Sequence, residues 1–82
     1  MKSRKAIVYI RLKNGVLDPQ GITIERAVHN MGYDLVASVR SGKFFELEIA
    51  ENNGQAEKEV EEICRKLLAN PVIEEFRVEY EK

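Results

Sequence analysis

The stretch LVASVRSGKFFELEI, Leu35 to Ile49, decides how the chain is read. In its first half, Leu35 to Arg40, the residues Leu35, Ala37 and Val39 share one face. In its second half, a run from Phe44 to Ala50, Phe45, Leu47 and Ile49 face one way and Phe44, Glu46 and Glu48 the other. Alternation of period two marks a strand with one covered face. Between the runs, Arg40-Ser41-Gly42-Lys43 is short and polar and contains a glycine, so the two strands are expected to close as a β-hairpin.

Upstream of this pair, Lys5 to Lys13 reads as another strand, with Ala6, Val8, Ile10 and Leu12 on one face and Ile7, Tyr9 and Arg11 on the other. Asn14-Gly15 marks a turn, but the pattern after it is helical. Asp18 suits an N-cap, because its carboxylate can accept from the unpaired amides of a first turn at the positive end of the helix. Pro19 then falls at the first helical position, where its missing N–H costs nothing. Ile24, Ala27, Val28 and Met31 make one helical face, and Gly32 is placed to end the helix.

Downstream, Asn52-Asn53-Gly54 breaks the pattern and offers an N-cap. Ala56, Val60, Ile63, Cys64, Leu67 and Leu68 form an apolar stripe at helical spacing, and Asn70-Pro71 stops that helix. A last strand runs from Ile73 to Tyr80, with Phe76, Val78 and Tyr80 opposite Arg77 and Glu79. The order β-α-β-β-α-β predicts one α+β domain over residues 1–82, ferredoxin-like, with a four-stranded antiparallel sheet and both helices on one face. The other face would carry Ile7, Tyr9, Val36, Phe44 and Ile73 among Arg11, Arg40, Glu46, Arg77 and Glu79. That mixture is too apolar for a wet surface and too charged for a core, so it is expected to meet a partner or another copy.

Composition narrows the function. Eighty-two residues with a formal charge of −1 give no basic excess to draw nucleic acid. A chain this short buries only about 60% of its unfolded surface, which favours help from a partner subunit. The single cysteine cannot form an internal disulfide, and a reducing cytoplasm fits best. No run approaches a signal peptide or the roughly 20 apolar residues of a membrane span. His29, the one histidine, has no acidic partner in sequence, Cys64 lies on an apolar stripe, and no metal-binding or phosphate-cradling spacing occurs. No catalytic constellation and no metal site are therefore expected. Two spots resist a purely local account. Gly21 costs up to about 1 kcal/mol in a helix and implies close approach. Arg40 and Lys43, flanking Gly42, are placed to meet an anion or a partner carboxylate.

Three segments carry a resemblance: VLDPQG with TIERAV after it, VRSGKFFELEI, and CRKLLANPVIEEFRVE. In order and spacing they are similar to the PurS family, small subunits of the multi-subunit formylglycinamidine ribonucleotide (FGAM) synthase. The resemblance spans about Ile7 to Glu79. It implies a non-catalytic subunit in de novo purine biosynthesis, bridging a large synthetase and a glutaminase so that ammonia passes between them. That enzyme amidates formylglycinamide ribonucleotide with glutamine, and the large subunit uses ATP and Mg2+. This chain would hold no cofactor, contact neither nucleic acid nor membrane, and assemble as a dimer or a dimer of dimers. By position, Asp18, Pro19, Gln20 and Gly21, then Arg40, Gly42 and Lys43, then Asn70 and Pro71 would shape subunit contacts. Without the resemblance the residues leave a second reading open, a ligand-binding regulatory α/β module of a metabolic enzyme.

Overall fold

The computed structural model describes residues 4–50 and 54–81. Three strands, β1 (Arg4–Leu12), β2 (Gly42–Ile49) and β3 (Glu74–Glu81), form an antiparallel sheet in the order β2-β1-β3. Helix α1 (Pro19–Asn30) lies between β1 and β2, and helix α2 (Ala56–Ile63) lies between β2 and β3. The fold is α+β. The face assignments hold in every strand: Ala6, Val8 and Ile10 are buried, and Phe45, Leu47, Phe76 and Val78 pack against the same core from the flanking strands.

Helix α2 covers that face through Val60 and Cys64. The helix continues past Ile63 as a five-residue π turn, Cys64–Leu68. Its inward residues run Ala56, Val60, Cys64 and then Ala69, so the last spacing is five rather than four. The wider turn, closed by Ala69 N–H to the Cys64 carbonyl at 2.9 Å, takes up the extra residue. As a result Leu67, expected on the buried stripe, is 78% exposed, and Ile63 is also exposed. The expected break at Asn52 and Asn53 lies outside the described residues. Helix α2 begins after Gln55, which makes no side-chain cap bond.

The hairpin does not form. Residues 36–40 carry no regular secondary structure and pair with no strand among the described residues. The described residues therefore form three strands, not four. The reason is visible in α1, which takes over this segment's polar groups. His29 Nε2 is 2.7 Å from the Val36 carbonyl, and Val39 N–H donates to Glu25 at 3.3 Å. Being one helical turn apart, the two side chains clip the segment along the helix. A carbonyl can only accept, so the His29 nitrogen is the N–H donor. Val36 and Ile73, assigned to the open sheet face, lie outside the strands.

Helix α1 otherwise follows its sequence signals. Asp18 caps it, Pro19 starts it, and Gly32 leaves it at φ +92°. Its apolar face, however, does not pack on the sheet: Met31 is 70% exposed, and Ile24 is exposed too. The radius of gyration is 16.5 Å, against about 12 Å for a compact domain of this length.

Val8 is fully buried at the centre of the sheet. Val8→Ala is expected to lower unfolding free energy by about 2 kcal/mol in urea denaturation.

Candidate functional site

The three motifs come together at one end of the sheet, where β1 finishes and β2 and β3 begin. The ladder fixes this, because Arg11 pairs with Gly42 and Leu12 with Glu74. Asp18 is the hub. Its Oδ1 accepts from Gly21 N–H at 3.0 Å and from the Ser41 hydroxyl at 2.6 Å, and its Oδ2 accepts from Ser41 N–H at 2.7 Å. One carboxylate thus caps α1 and ties it to the residue before β2. The Ser41 hydroxyl above all, then Ser41 and Gly21 amides, hold the Asp18 carboxyl below its ordinary acidity range.

Gly21 answers the question its cost raises. A Cβ there would come 2.6 Å from the Val39 carbonyl oxygen and 2.6 Å from Asp18 Oδ2. What approaches is the chain's own backbone. Gly42 is similar: its Cβ would meet the Ile10 carbonyl oxygen at 2.5 Å. Arg40 and Lys43 are not on a hairpin tip. The Arg40 guanidinium turns onto Asn14 Oδ1 and the Leu12 carbonyl, and Lys43 lies 3.9 Å from Glu74.

The third motif closes the same end. Asn70 Oδ1 accepts from Val72 N–H at 3.0 Å, an Asx turn, and Asn70 N–H donates to Glu74 Oε1 at 2.7 Å. Lys13 donates to the Pro71 carbonyl at 2.7 Å through Nζ and to the Ile73 carbonyl at 2.8 Å through its backbone. Pro19 and Gln20 are exposed and, with Asp18, Gly42, Lys43 and Glu74, line a cleft of about 450 Å³. All nine expected residues thus sit at one end. Ser41, Lys13 and Asn14 belong there too. Their partners lie 23, 58 and 26 residues away, and no local pattern announces such contacts.

The Ser41 hydroxyl does lie on the Asp18 carboxylate, but the same hydrogen bonds hold that carboxyl below its ordinary range, which makes it a weak base. Burial pushes the Cys64 thiol above its ordinary range, which disfavours the reactive thiolate. Among the described residues no group of three His, Cys, Asp or Glu is placed to hold a metal ion, and no helix is long and apolar enough to cross a membrane. The arrangement fixes backbone rather than activating a group.

The PurS family model, described as phosphoribosylformylglycinamidine (FGAM) synthase, matches residues 5–82. The chain belongs to the PurS family. It is 47% identical over 78 residues to the PurS subunit of phosphoribosylformylglycinamidine synthase from Bacillus subtilis, covering 95% of this chain and 93% of that one. It is 46% identical over 79 residues to the Methanocaldococcus jannaschii subunit, covering 95% of each. The Bacillus subtilis PurS crystal structure superposes with a TM-score of 0.85, covering 96% of this chain and 99% of that one. A PurS-like chain in the structure of PurLQS from Thermotoga maritima gives 0.86 at 37% identity, covering 98% and 99%.

Two outcomes test the hub. Glycine to alanine in a helix ordinarily gains about 1 kcal/mol. Gly21→Ala is expected to do the reverse, lowering the thermal midpoint, because the new Cβ meets a backbone oxygen. Because folding lowers the Asp18 pKa from 3.8, its contribution is complete above that value and is lost as pH falls through the lower folded value. Urea titrations from pH 3.8 downward should show a shallower loss of stability on acidification for Asp18→Asn than for the parent.

Proposed function

We propose that the chain serves as the small, non-catalytic subunit of FGAM synthase in purine biosynthesis, acting through contacts as a paired subunit. In this reading it bridges the ATP- and Mg2+-using synthetase and the glutaminase in the cytoplasm, and the end of the sheet built by the three motifs docks them. The observation that carries the reading is the detached α1 with its clipped segment. Leu35 is 100% exposed, and Met31 and Ile24 face solvent from α1. At the end of α2 and in the turn after it, Ile63 and Leu67 are exposed as well. Two apolar surfaces are open on one chain, one on a helix and one beside the place a helix would fill. A second copy satisfies both at once, since isologous exchange brings each helix to the other chain's vacancy.

The same exchange completes the sheet. The outer edge of β2 is unpaired among the described residues, and a free edge is a template for another strand. Residues 36–40 of a second copy fit there, where a ferredoxin-like sheet carries its fourth strand. The PurS relatives and the PurLQS neighbour support the assignment to a complex.

Leu35→Asp should weaken pairing by about 30-fold or more, since a buried apolar anchor at an interface is worth about 2 kcal/mol. Sedimentation velocity reads this as a shift to monomer. In the reconstituted complex, glutamine-dependent FGAM formation should fall with pairing while ammonia-dependent formation persists. Equal loss of both activities would mean that this subunit takes part in the synthetase chemistry, against the proposal.

A further inference from the structure

The sheet face away from α2 is not used by the pairing just described. The ladder sets its residues in rows across the three strands: Gly42, Arg11 and Glu75; then Phe44, Tyr9 and Arg77; then Glu46, Ile7 and Glu79. The second row is an aromatic platform. Its Phe44 and Tyr9 rings lie 6.1 Å apart, and the Arg77 guanidinium sits 4.6 Å from the centre of the Tyr9 ring. Phe44 remains 59% exposed. No side chain fills the β2 end of the first row, because Gly42 stands there. A cleft of about 730 Å³ opens over these two rows. That volume lies within the roughly 300–1,000 Å³ usual for small-molecule sites.

The charge of the cleft is opposite to that of the chain. Arg11, Arg40, Lys43 and Arg77 line it against one carboxylate, Glu75, a balance of +3 in a chain of −1. Arg40 and Lys43 are turned to the chain's own groups. Arg11 and Arg77 keep donors to spare. Arg11 gives Nε to Glu75 at 2.5 Å, and Arg77 gives Nη1 to Glu79. The other guanidinium N–H groups of both have no hydrogen-bond partner among the described residues. A planar guanidinium presents such N–H groups as a fork that matches a phosphate.

The basic strip is short. Beyond the platform, Lys5 stands against Glu46, Glu48, Glu79 and Glu81, a balance of −3. A polyanionic strand continuing along the face would run onto these carboxylates, so the cleft suits a single unit and not a nucleic acid. Along the strands the order is cation, ring, carboxylate: Arg11, then Tyr9 and Phe44, then Glu46. A nucleoside monophosphate carries the matching order of phosphate, flat ring and base edge. The first and third rows are four strand residues apart, about 13 Å, a span comparable to such a molecule. A base stacks on an exposed ring whatever its identity. Glu46 adds a preference, because a carboxylate only accepts. Guanine offers it two adjacent N–H groups, whereas the one ring N–H of uracil is flanked by carbonyl oxygens that a carboxylate repels.

We propose that this cleft binds a purine nucleoside monophosphate, with the phosphate on Arg11 and Arg77, the base on Phe44 and its N–H edge on Glu46. The site uses none of the exposed apolar residues that carry the pairing, so the two proposals fail separately.

Isothermal titration calorimetry on the full chain with GMP, guanosine, ribose 5-phosphate and UMP tests it. GMP should bind at least about tenfold more tightly than either guanosine or ribose 5-phosphate, since each lacks one half of the contacts. Phe44→Ala should remove the advantage over ribose 5-phosphate and leave binding of that sugar phosphate unchanged. Arg11→Gln should weaken both GMP and ribose 5-phosphate by about tenfold. Glu46→Gln should narrow the preference for GMP over UMP. Circular dichroism should show an unchanged fold in each variant. Amide shifts on adding GMP to the labelled chain should centre on Tyr9 and Phe44. A parent that binds GMP no more tightly than ribose 5-phosphate or UMP, a Phe44→Ala variant with the parent's affinity for GMP, or shifts centred away from this face would overturn the proposal.

Discussion

The Asp18 carboxylate joins the two halves of this molecule. Helix α1 and residues 36–40 lie away from the sheet, and their connection to it runs through Ser41, which gives Asp18 both its N–H and its O–H. The geometry leaves little slack, because Gly21 brings α1 against the Val39 carbonyl where a Cβ would not fit. Arg40 adds a second tie by donating to Asn14 and to the last carbonyl of β1. The direction in which α1 projects is thus set by a few charge-assisted bonds at one end of the sheet and not by packing along the helix. Such bonds are directional, and a helix held by its first turn points where the cap points.

How much of this could be read from the residues differs by element. The strand faces were legible because alternation reports burial directly: Val8 and Phe45 inside, Tyr9 and Phe44 outside. Asp18, Pro19 and Gly32 were legible because caps act within one turn. The hairpin at Arg40 to Lys43 was not. Alternation in Leu35 to Arg40 shows that the segment suits an edge; it does not say whose edge, since pairing is non-local. Leu67 misled for a related reason: a stripe of period 3.6 cannot anticipate a five-residue turn, which arises when Ala69 is drawn into the core. The site residues could be named as motifs, but their meeting could not, because the register of Leu12 with Glu74 and Arg11 with Gly42 brings them together.

His29 shows the same limit on a smaller scale. Searching the sequence for an acidic partner finds none, because its partner is the Val36 carbonyl, a group every residue carries. With Glu25 it turns α1 and residues 36–40 into one unit, a helix with a segment clipped to its side. A preformed unit loses less freedom when it docks than a loose segment does. The same reasoning applies to the motif end. Asn70, Lys13, Asp18 and Arg40 spend polar groups on the chain's own backbone, which stiffens that end of the sheet.

The core that remains in one chain is small. Its buried residues, Ala6, Val8, Ile10, Ala56, Val60, Cys64 and Ala69, are mostly short side chains, and one helix covers the sheet. Apolar burial is the main favourable term in folding, and domains of this length are marginal even when compact. Here Ile24, Met31, Leu35 and Leu67 are withheld from that core. Residues withheld from a marginal core stabilise the chain once another surface covers them. Under the pairing proposed above, folding and assembly draw on the same side chains, and the stability of the subunit would depend on its concentration. Under that pairing, a subunit without chemistry of its own is coupled to the complex it serves, because assembly covers the side chains its own core leaves out.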